Sequence, residues 1–295
     1  MELQKTKDLN ILLLGLGFLF VYTAYQTTAA VSETVLNSFE DETGKVISGY
    51  IAMALNYAGT TMVALFVPGM LLFITRKTSI IIGSVLSITM AAAYIYPTAA
   101  TIYIFSFLSG VGGAFIWVGQ GAEVLANSDE HTVDRNTAVF WLLYQMSQFG
   151  GNLYVYIAWG GYDIVTSTLR ITLFSILVGV GSLGILTFTF IRVIPSESDI
   201  TDDTLTLGTK IRMMLKTIGQ AVRYCGQYHF IMLILITSYI GFELAFFQMI
   251  FPTCVANTKA FGDDSEKLTG LVVCFIGVGE IVGSFSSGAL SKIGN

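Results

Sequence analysis

The chain has 295 residues, of which 54% are hydrophobic and only 12% are charged. An average soluble domain carries about 25% charged residues, so this chain has too little charge to cover a soluble surface. Its apolar excess is expected to face lipid, which excludes a soluble enzyme and makes the lipid bilayer the first expected partner. The formal net charge of −5 gives no reason to expect a nucleic-acid partner.

Cysteine and histidine are too sparse to indicate a cofactor or a metal site. Cys225, Cys254 and Cys274 show no paired CxxC spacing, and the two histidines are far apart. A Gly-x-Gly-x-Glu run at Gly277 follows no strand, so it is not a nucleotide-binding fingerprint. We expect buried thiols, no disulfide framework, no metal and no cofactor.

Eight stretches are long and apolar enough to cross a membrane. A helix needs about 20 mostly apolar residues to span about 30 Å of hydrocarbon. Stretches of that kind lie at 9–31, 49–75, 79–96, 99–124, 137–160, 171–191, 229–255 and 268–290. Lys5 and Lys7 precede the first, but its apolar run exceeds the roughly 7–15 residues of a signal-peptide core. We therefore predict eight transmembrane helices, the first of them retained.

The basic residues predict the orientation of these helices. With the N-terminus inside, the cytoplasmic set is Lys5, Lys7, Arg76, Lys77, Arg135, Arg192, Lys210, Arg212, Lys216, Arg223 and Lys292. The outer set is Lys45, Arg170, Lys259 and Lys267. Cytoplasmic loops carry an excess of Lys and Arg, so both termini are predicted to be cytoplasmic.

A polar segment divides the chain into an N-terminal six-helix bundle at 1–192, a cytoplasmic linker at 193–228 and two further helices at 229–295. From Thr209 onward the linker alternates apolar and basic residues at helical spacing, with Ile211, Met214 and Ile218 on the apolar side. A basic amphipathic helix at the inner leaflet and an ordinary solvated helix both fit this pattern.

Six helices, a long cytoplasmic linker and then more helices is the layout of the major facilitator superfamily, whose two six-helix halves are parallel repeats. Local strings add a closer resemblance: FVYTAYQT at 20–27, NSDEHTVDRN at 127–136, GNLYVY at 151–156 and GFELAFF at 241–247. Over essentially the whole chain, the sequence resembles the uncoordinated-ninety-three-like family within that superfamily.

This resemblance implies an all-α membrane protein with a major facilitator superfamily-like helical bundle of twelve helices, of which about eight are expected here. An isoform, a fragment or an incomplete gene model would each lack the last four. The resemblance also implies members that regulate potassium channels or escort receptors, so a channel or receptor subunit is an expected partner, besides self-association. It assigns no catalytic residue, and we expect no enzymatic activity.

Three carboxyl groups, those of Glu123, Glu243 and Glu280, fall inside the predicted spans. Ionised carboxylates are costly in hydrocarbon, and no span contains an internal Lys or Arg to pair with them. Glu243 and Glu280 lie near the centres of adjacent spans, where two carboxyls at one depth would suit proton or cation coupling; a protonated carboxyl bonded between helices is the alternative. Glu123, at the cytoplasmic end of its span, is expected to be structural.

Two further sets of residues carry hypotheses. The polar side chains that could line a substrate cavity, or else form interhelical hydrogen bonds, are Tyr22, Tyr25, Gln26, Gln120, Gln145, Gln148 and Asn152. Small residues at Gly279, Gly283 and Ser287 form a helix-packing ladder, repeated more loosely at Gly110 and Ala114.

Two functional interpretations follow from these observations. The first is a secondary transporter that moves an unknown small solute by rocking two bundles around a midplane site. The second is a non-transporting regulatory or trafficking subunit that packs against a channel or receptor.

The basic-residue asymmetry predicts which loops face the outside of the cell. Cysteines introduced near Glu42 and Asp264 should react with an impermeant thiol reagent applied to intact cells, and a cysteine near Asp203 should react only after permeabilisation. Labelling near Asp203 in intact cells would refute the predicted orientation.

Overall fold

The structure is a computed structural model that describes residues 2–159, 165–194 and 206–291. Throughout these ranges the regular elements are helical. The α-helices are α1 Glu2–Thr43, α2 Gly49–Ala64, α3 Val67–Met70, α4 Arg76–Ala93, α5 Ala99–Ala126, α6 Val133–Gln145, α7 Ser147–Ala158, α8 Ser167–Thr189, α9 Leu207–Cys225, α10 Tyr228–Ala245, α11 Phe251–Ala256 and α12 Ser265–Ser291. A π-helical turn covers Phe246–Ile250 and a 3₁₀ turn covers Lys259–Asp264.

The predicted all-α membrane fold is confirmed, since each of the eight apolar stretches falls on helix. Among the residues described, the helices that are long and apolar enough to span a membrane without interruption are Glu2–Thr43, Ala99–Ala126, Ser167–Thr189 and Tyr228–Ala256. The remaining predicted spans fall on α2 with α3, on α4, on α6 with α7, and on α12.

Three spans contain local departures from α geometry that the apolar pattern does not indicate. Pro68 lies in the first turn of α3, and because proline cannot donate to the preceding turn, α2 ends at Ala64. In the fifth span, α6 gives way to α7 at Met146, where Phe149 N donates to Met146 O, three residues earlier. In the seventh, Phe251 N–H donates to Phe246 O, which widens the helix into a π turn just before Pro252.

Helix α1 is the central element of the bundle. Its 42 residues would extend about 63 Å at 1.5 Å per residue, well beyond the hydrocarbon thickness. It packs against α4, α6, α7 and α8 and also meets α2, α11 and α12. From Val21 to Ser32 every residue except Tyr25 is buried, so the helix is enclosed on all faces. It ends at Gly44, whose positive φ of 69° suits the residue that follows a helix.

Glycines set the closest helix contacts. A Cβ at Gly110 of α5 would lie 1.8 Å from the backbone oxygen of Asn56 on α2, so no side chain fits there. Gly83 of α4 and Gly112 of α5 similarly face each other's backbone oxygens. Such close approach brings α2, α4 and α5 together as one layer.

Helix α12 makes its close approach through a different face from the predicted ladder. A Cβ at Gly270 would lie 2.2 Å from Asn152 O, and one at Gly277 would lie 2.9 Å from Gln148 Cβ. A Cβ at Gly279 or Gly283 meets no described atom within 4 Å. The side chain of Ser287 lies outside the described residues, so packing by the ladder stays a prediction.

The linker helix and the seventh span lie on the surface of this bundle. Neither α9 nor α10 contains a buried residue. Helix α9 contacts α3, where Met214 packs over Gly69. The expectation of buried thiols is wrong for Cys225, which lies on the exposed helix α9, and for Cys254, which lies on the exposed side of α11; Cys274 is half-buried.

The glycine contact between α2 and α5 should control stability. Gly110→Ala is expected to lower the free energy of unfolding by about 1–3 kcal/mol, because the added Cβ would force the two backbones apart. Gly179→Ala on α8 is the matched control, since a Cβ there meets open space. Unfolding in a denaturing detergent, followed by circular dichroism, measures both; equal stabilities for the two variants would contradict the packing account.

Candidate functional site

A buried ion pair joins the start of α4 to the end of α5. Arg76 Nε lies 3.0 Å from Glu123 Oε2, and both side chains are almost completely buried. Arg76 Nη2 also donates to Ile194 O at 3.1 Å. We expected no lysine or arginine to pair with the carboxyls inside the spans, and this is wrong for Glu123. Arg76 follows the predicted span 49–75 in sequence, but its side chain points into the bundle and pairs with Glu123.

Amide side chains extend this pair to α1. Asn127 Nδ2 donates to Glu123 Oε1 at 2.8 Å, and Asn10 Nδ2 donates to Asn127 Oδ1 at 2.8 Å. Asn10 Nδ2 also reaches Arg192 O at 2.8 Å. This polar network, formed by Arg76, Glu123, Asn127 and Asn10, ties α1, α4, α5 and the segment after α8 together at one end of the bundle. It supports the structural role expected for Glu123.

The loop between α5 and α6 is stabilised by hydrogen bonds that its own side chains make. Asp129 Oδ1 accepts from Thr132 Oγ1 at 2.8 Å, from Thr132 N at 2.9 Å and from His131 N at 3.0 Å. These bonds lower the pKa of Asp129 below its usual value, the Thr132 side-chain bond contributing most. Asn136 Nδ2 closes the loop by donating to Ser128 Oγ at 2.9 Å. The loop therefore directs the chain from α5 into α6.

A cavity of about 200 Å³ lies between α1, α2, α4, α5, α6 and the seventh span. Its lining is aromatic and polar and contains no charged side chain. The lining residues are Tyr22, Tyr25, Asn56, Tyr57, Thr60, Ser87, Ser109, Gly113, Trp117, Tyr144, Leu244 and Gln248.

Aromatic rings form a corner of this cavity. The ring of Tyr22 lies 5.4 Å from that of Trp117 at 62° and 5.1 Å from that of Tyr144 at 75°. Trp117 and Tyr144 are 5.2 Å apart at 76°. Since the three rings are steeply inclined to one another in every pair, we name them the aromatic corner. Tyr25 continues it at 5.6 Å from Tyr22.

Hydrogen bonds orient the polar lining. Tyr25 Oη donates to Asn56 Oδ1 at 2.9 Å, and Asn56 Nδ2 donates to Ser106 O at 3.1 Å. Tyr57 Oη reaches Gln248 Oε1 at 3.3 Å. Gln248 belongs to the π-helical turn, a rare geometry that recurs at functional sites. The turn therefore brings an amide from the seventh span to a tyrosine on α2.

The polar residues predicted from sequence divide into two groups. Tyr22 and Tyr25 line the cavity, whereas Gln120 is half-buried and lies outside the lining. Gln26 is buried next to Tyr144, yet neither of its amide atoms reaches hydrogen-bonding geometry with a described residue.

Beside the cavity, α7 and α12 share a polar contact. Gln148 Nε2 donates to Glu280 Oε2 at 2.7 Å, and Asn152 Nδ2 donates to Gln148 O at 2.7 Å. Gln145 also lies next to Glu280. The sequence-predicted face of Gln145, Gln148 and Asn152 thus meets α12, and an interhelical hydrogen bond accounts for Gln148.

The two carboxyls of the seventh and eighth spans are not directly bonded to each other. Glu280 is half-buried against Gln148, while Glu243 is exposed on α10. The two groups are close enough for electrostatic interaction, and Glu280 also interacts with Tyr144. The coupling role of this pair stays a prediction.

Ten of the twelve lining residues were not predicted from sequence, among them Asn56, Tyr57, Trp117, Tyr144 and Gln248. Asn56 and Tyr57 are polar residues within the apolar span 49–75, and Gln248 lies just before Pro252 in 229–255, so a search for amides and hydroxyls in every span would have found them. The same search would have found the hydroxyl of Tyr144 in 137–160, whereas nothing in the local sequence distinguishes Trp117 from a packing aromatic.

The helical fold and the apolar spans define a multi-pass membrane protein related to the major facilitator superfamily. The family model described as "Ion channel regulatory protein UNC-93" matches residues 41–294. The chain belongs to the UNC-93 family.

Individual relatives agree with this assignment. "UNC93-like protein MFSD11" of Xenopus laevis is 30% identical over an alignment of 302 residues including gaps. The alignment covers 99% of this chain and 68% of the relative. The protein of the same name from Xenopus tropicalis gives the same identity and coverage. "Protein unc-93 homolog A" of Xenopus laevis is 23% identical over 96% of this chain and 68% of the relative. The predicted family is thereby confirmed.

The polar network should be coupled energetically. Arg76→Gln and Glu123→Gln are each expected to lower the free energy of unfolding by about 3–5 kcal/mol, because each removes one charge of a buried ion pair. The double variant should lose less than the sum of the two. The exposed Arg135–Asp8 pair is the control and should show little coupling. Additive losses in the Arg76 and Glu123 cycle, measured in the same denaturing detergent, would contradict the pairing.

Proposed function

We propose that this chain is a secondary transporter that binds a small solute in the cavity between its first helices and the seventh span. The observation that carries the proposal is the cavity itself, which is bordered by six segments and lined by hydroxyl, amide and aromatic groups. Ligand sites in transporters of this superfamily lie between the two repeats near the bilayer midplane. Tyr22 and Trp117 come from the first half of the chain, and Gln248 comes from the second.

The proposal requires the seventh span to move, and the Tyr57–Gln248 hydrogen bond joins this span to α2. This bond is a direct polar contact across the cavity, and at 3.3 Å between exposed side chains it is long. Helix α10 beside it has no buried residue, so few contacts oppose its movement. A rocking motion of the seventh span about the π turn would open the cavity on one side.

Glu280 is the proposed coupling group. It lies beside the cavity through Tyr144 and is bonded to Gln148 on α7. A carboxyl at that depth can exchange a proton or a cation with the solute site, which is how midplane carboxyls serve in transporters. We propose this role in place of any catalytic one, because the cavity lining offers no nucleophile paired with a base.

A second candidate function is regulation or trafficking of a channel or receptor. Two observations favour it: the matching family is described as an ion channel regulatory protein, and the apolar surface of α10 contains no buried residue, so a partner helix could cover it. Copurification of a channel subunit with this chain, in the absence of any solute uptake, would select this function over transport.

Solute uptake into proteoliposomes tests the transport proposal. The purified chain should give saturable uptake of at least one solute from a radiolabelled panel of amines, amino acids, sugars and carboxylic acids. Gln248→Leu should reduce that uptake at least about tenfold, because it removes the amide that bonds to Tyr57 across the cavity.

Gln120→Leu is the matched control for this experiment. It makes the same chemical change at a half-buried glutamine outside the cavity, so uptake should persist. Equal loss in both variants, or no saturable uptake of any solute by the unaltered chain, would overturn the proposal.

A further inference from the structure

The aromatic corner gives the cavity a chemical preference that its polar groups alone do not. Five of its lining residues are aromatic, and four of these are tyrosines. The face of an aromatic ring carries partial negative charge, so several ring faces around one small space attract a cation. The three rings contact one another edge to face in every pair, at inclinations of 62–76°, so they form a corner and not a flat stack.

The charged groups near the cavity also favour a positively charged ligand. The electrostatic partners of the Tyr22, Tyr25, Tyr57 and Tyr144 hydroxyls are other tyrosines and Glu280, with no lysine or arginine from the described residues among them. Glu243 adds a second carboxyl near Glu280. The charge-bearing groups nearest these hydroxyls are therefore carboxyls, beside which a cation is favoured over an anion.

The hydrogen bonds of the lining limit the kind of cation. Asn56 Oδ1 and Gln248 Oε1 already accept from Tyr25 and Tyr57, so these amide oxygens are engaged within the wall. A bare metal ion needs several oxygen ligands at short range, as the coordination of Ca²⁺ and Mg²⁺ illustrates. A methylated ammonium group needs only ring faces and a carboxylate at longer range.

Size limits the cation further. A volume of about 200 Å³ is below the roughly 300–1,000 Å³ of sites for drug-sized ligands. On these grounds we propose that the cavity binds a small organic cation whose charge lies on a methylated or quaternary ammonium group, held by Tyr22, Trp117 and Tyr144. The assignment rests on the proposed function in taking this cavity as the solute site, and it adds the substrate class.

Equilibrium binding of radiolabelled choline to the detergent-purified chain tests this assignment. We expect saturable binding that tetramethylammonium displaces. The neutral alcohol 3,3-dimethyl-1-butanol has the shape of choline with carbon in place of nitrogen, and it should displace choline at least about tenfold less well. Equal displacement by the neutral alcohol, displacement by K⁺ as effective as that by tetramethylammonium, or no choline binding would each overturn the assignment.

Substitutions at one ring separate ring-face binding from general packing. Tyr144→Leu should weaken choline binding about tenfold, and Tyr144→Phe should bind choline about tenfold more tightly than Tyr144→Leu because it keeps the ring. Tyr239→Leu on α10 makes the same change at an exposed tyrosine outside the cavity and is the control. Equal affinities of the Phe and Leu variants would overturn the role of the ring.

A second measurement covers the case in which Tyr144→Leu does not fold. Replacing tryptophan biosynthetically by mono-, di- and trifluorotryptophan preserves the shape of Trp117 and withdraws negative charge from its face. Choline affinity should fall stepwise with each added fluorine, and constant affinity would overturn the assignment.

The two proposals fail in different ways. Choline binding without uptake into proteoliposomes would refute transport and leave the ligand class intact. Uptake of neutral or anionic solutes with no uptake or binding of choline would refute the ligand class and leave transport intact.

Discussion

The constraint on which the structure depends is the cost of polar groups in hydrocarbon, since the membrane interior offers no water to satisfy them. At one end of the bundle the chain offsets this cost with an ion pair and hydrogen bonds. Arg76 and Glu123 neutralise each other, Asn127 donates to Glu123, and Asn10 donates to Asn127. Because these residues come from α1, α4 and α5, satisfying one buried charge fixes three helices relative to one another.

Further along α1 the polar groups are less completely satisfied. The Gln26 amide lacks hydrogen-bonding geometry with any described residue, and so do Ser106 Oγ and Asn152 Oδ1. Gln26 and Ser106 lie on α1 and α5, which border the cavity, but these atoms are buried and do not line it. In our proposal, incomplete polar contacts in this part of the bundle would let the seventh span move around a bound solute.

The sequence was sufficient for the helices and insufficient for their partners. Length and hydropathy locate the spans because the bilayer imposes both. Pattern alone could not show that Arg76 turns inward, since a cation at a span edge is usually solvated. Nor could it show that Gly270 and Gly277 make close helix contacts on α12, because their spacing does not form a ladder of small residues. Tyr22 and Tyr25 were found because hydroxyls are conspicuous in a span, whereas Trp117 needed the fold to be recognised as lining.

The central claim is that the cavity bordered by the aromatic corner is a ligand site and not a packing defect. Electron cryomicroscopy of the chain in lipid nanodiscs, with and without saturating tetramethylammonium, tests this most directly. Our account predicts ligand-dependent density bounded by the rings of Tyr22, Trp117 and Tyr144. Identical maps, with the space filled by a lipid tail or by a side chain of the protein itself, would contradict it.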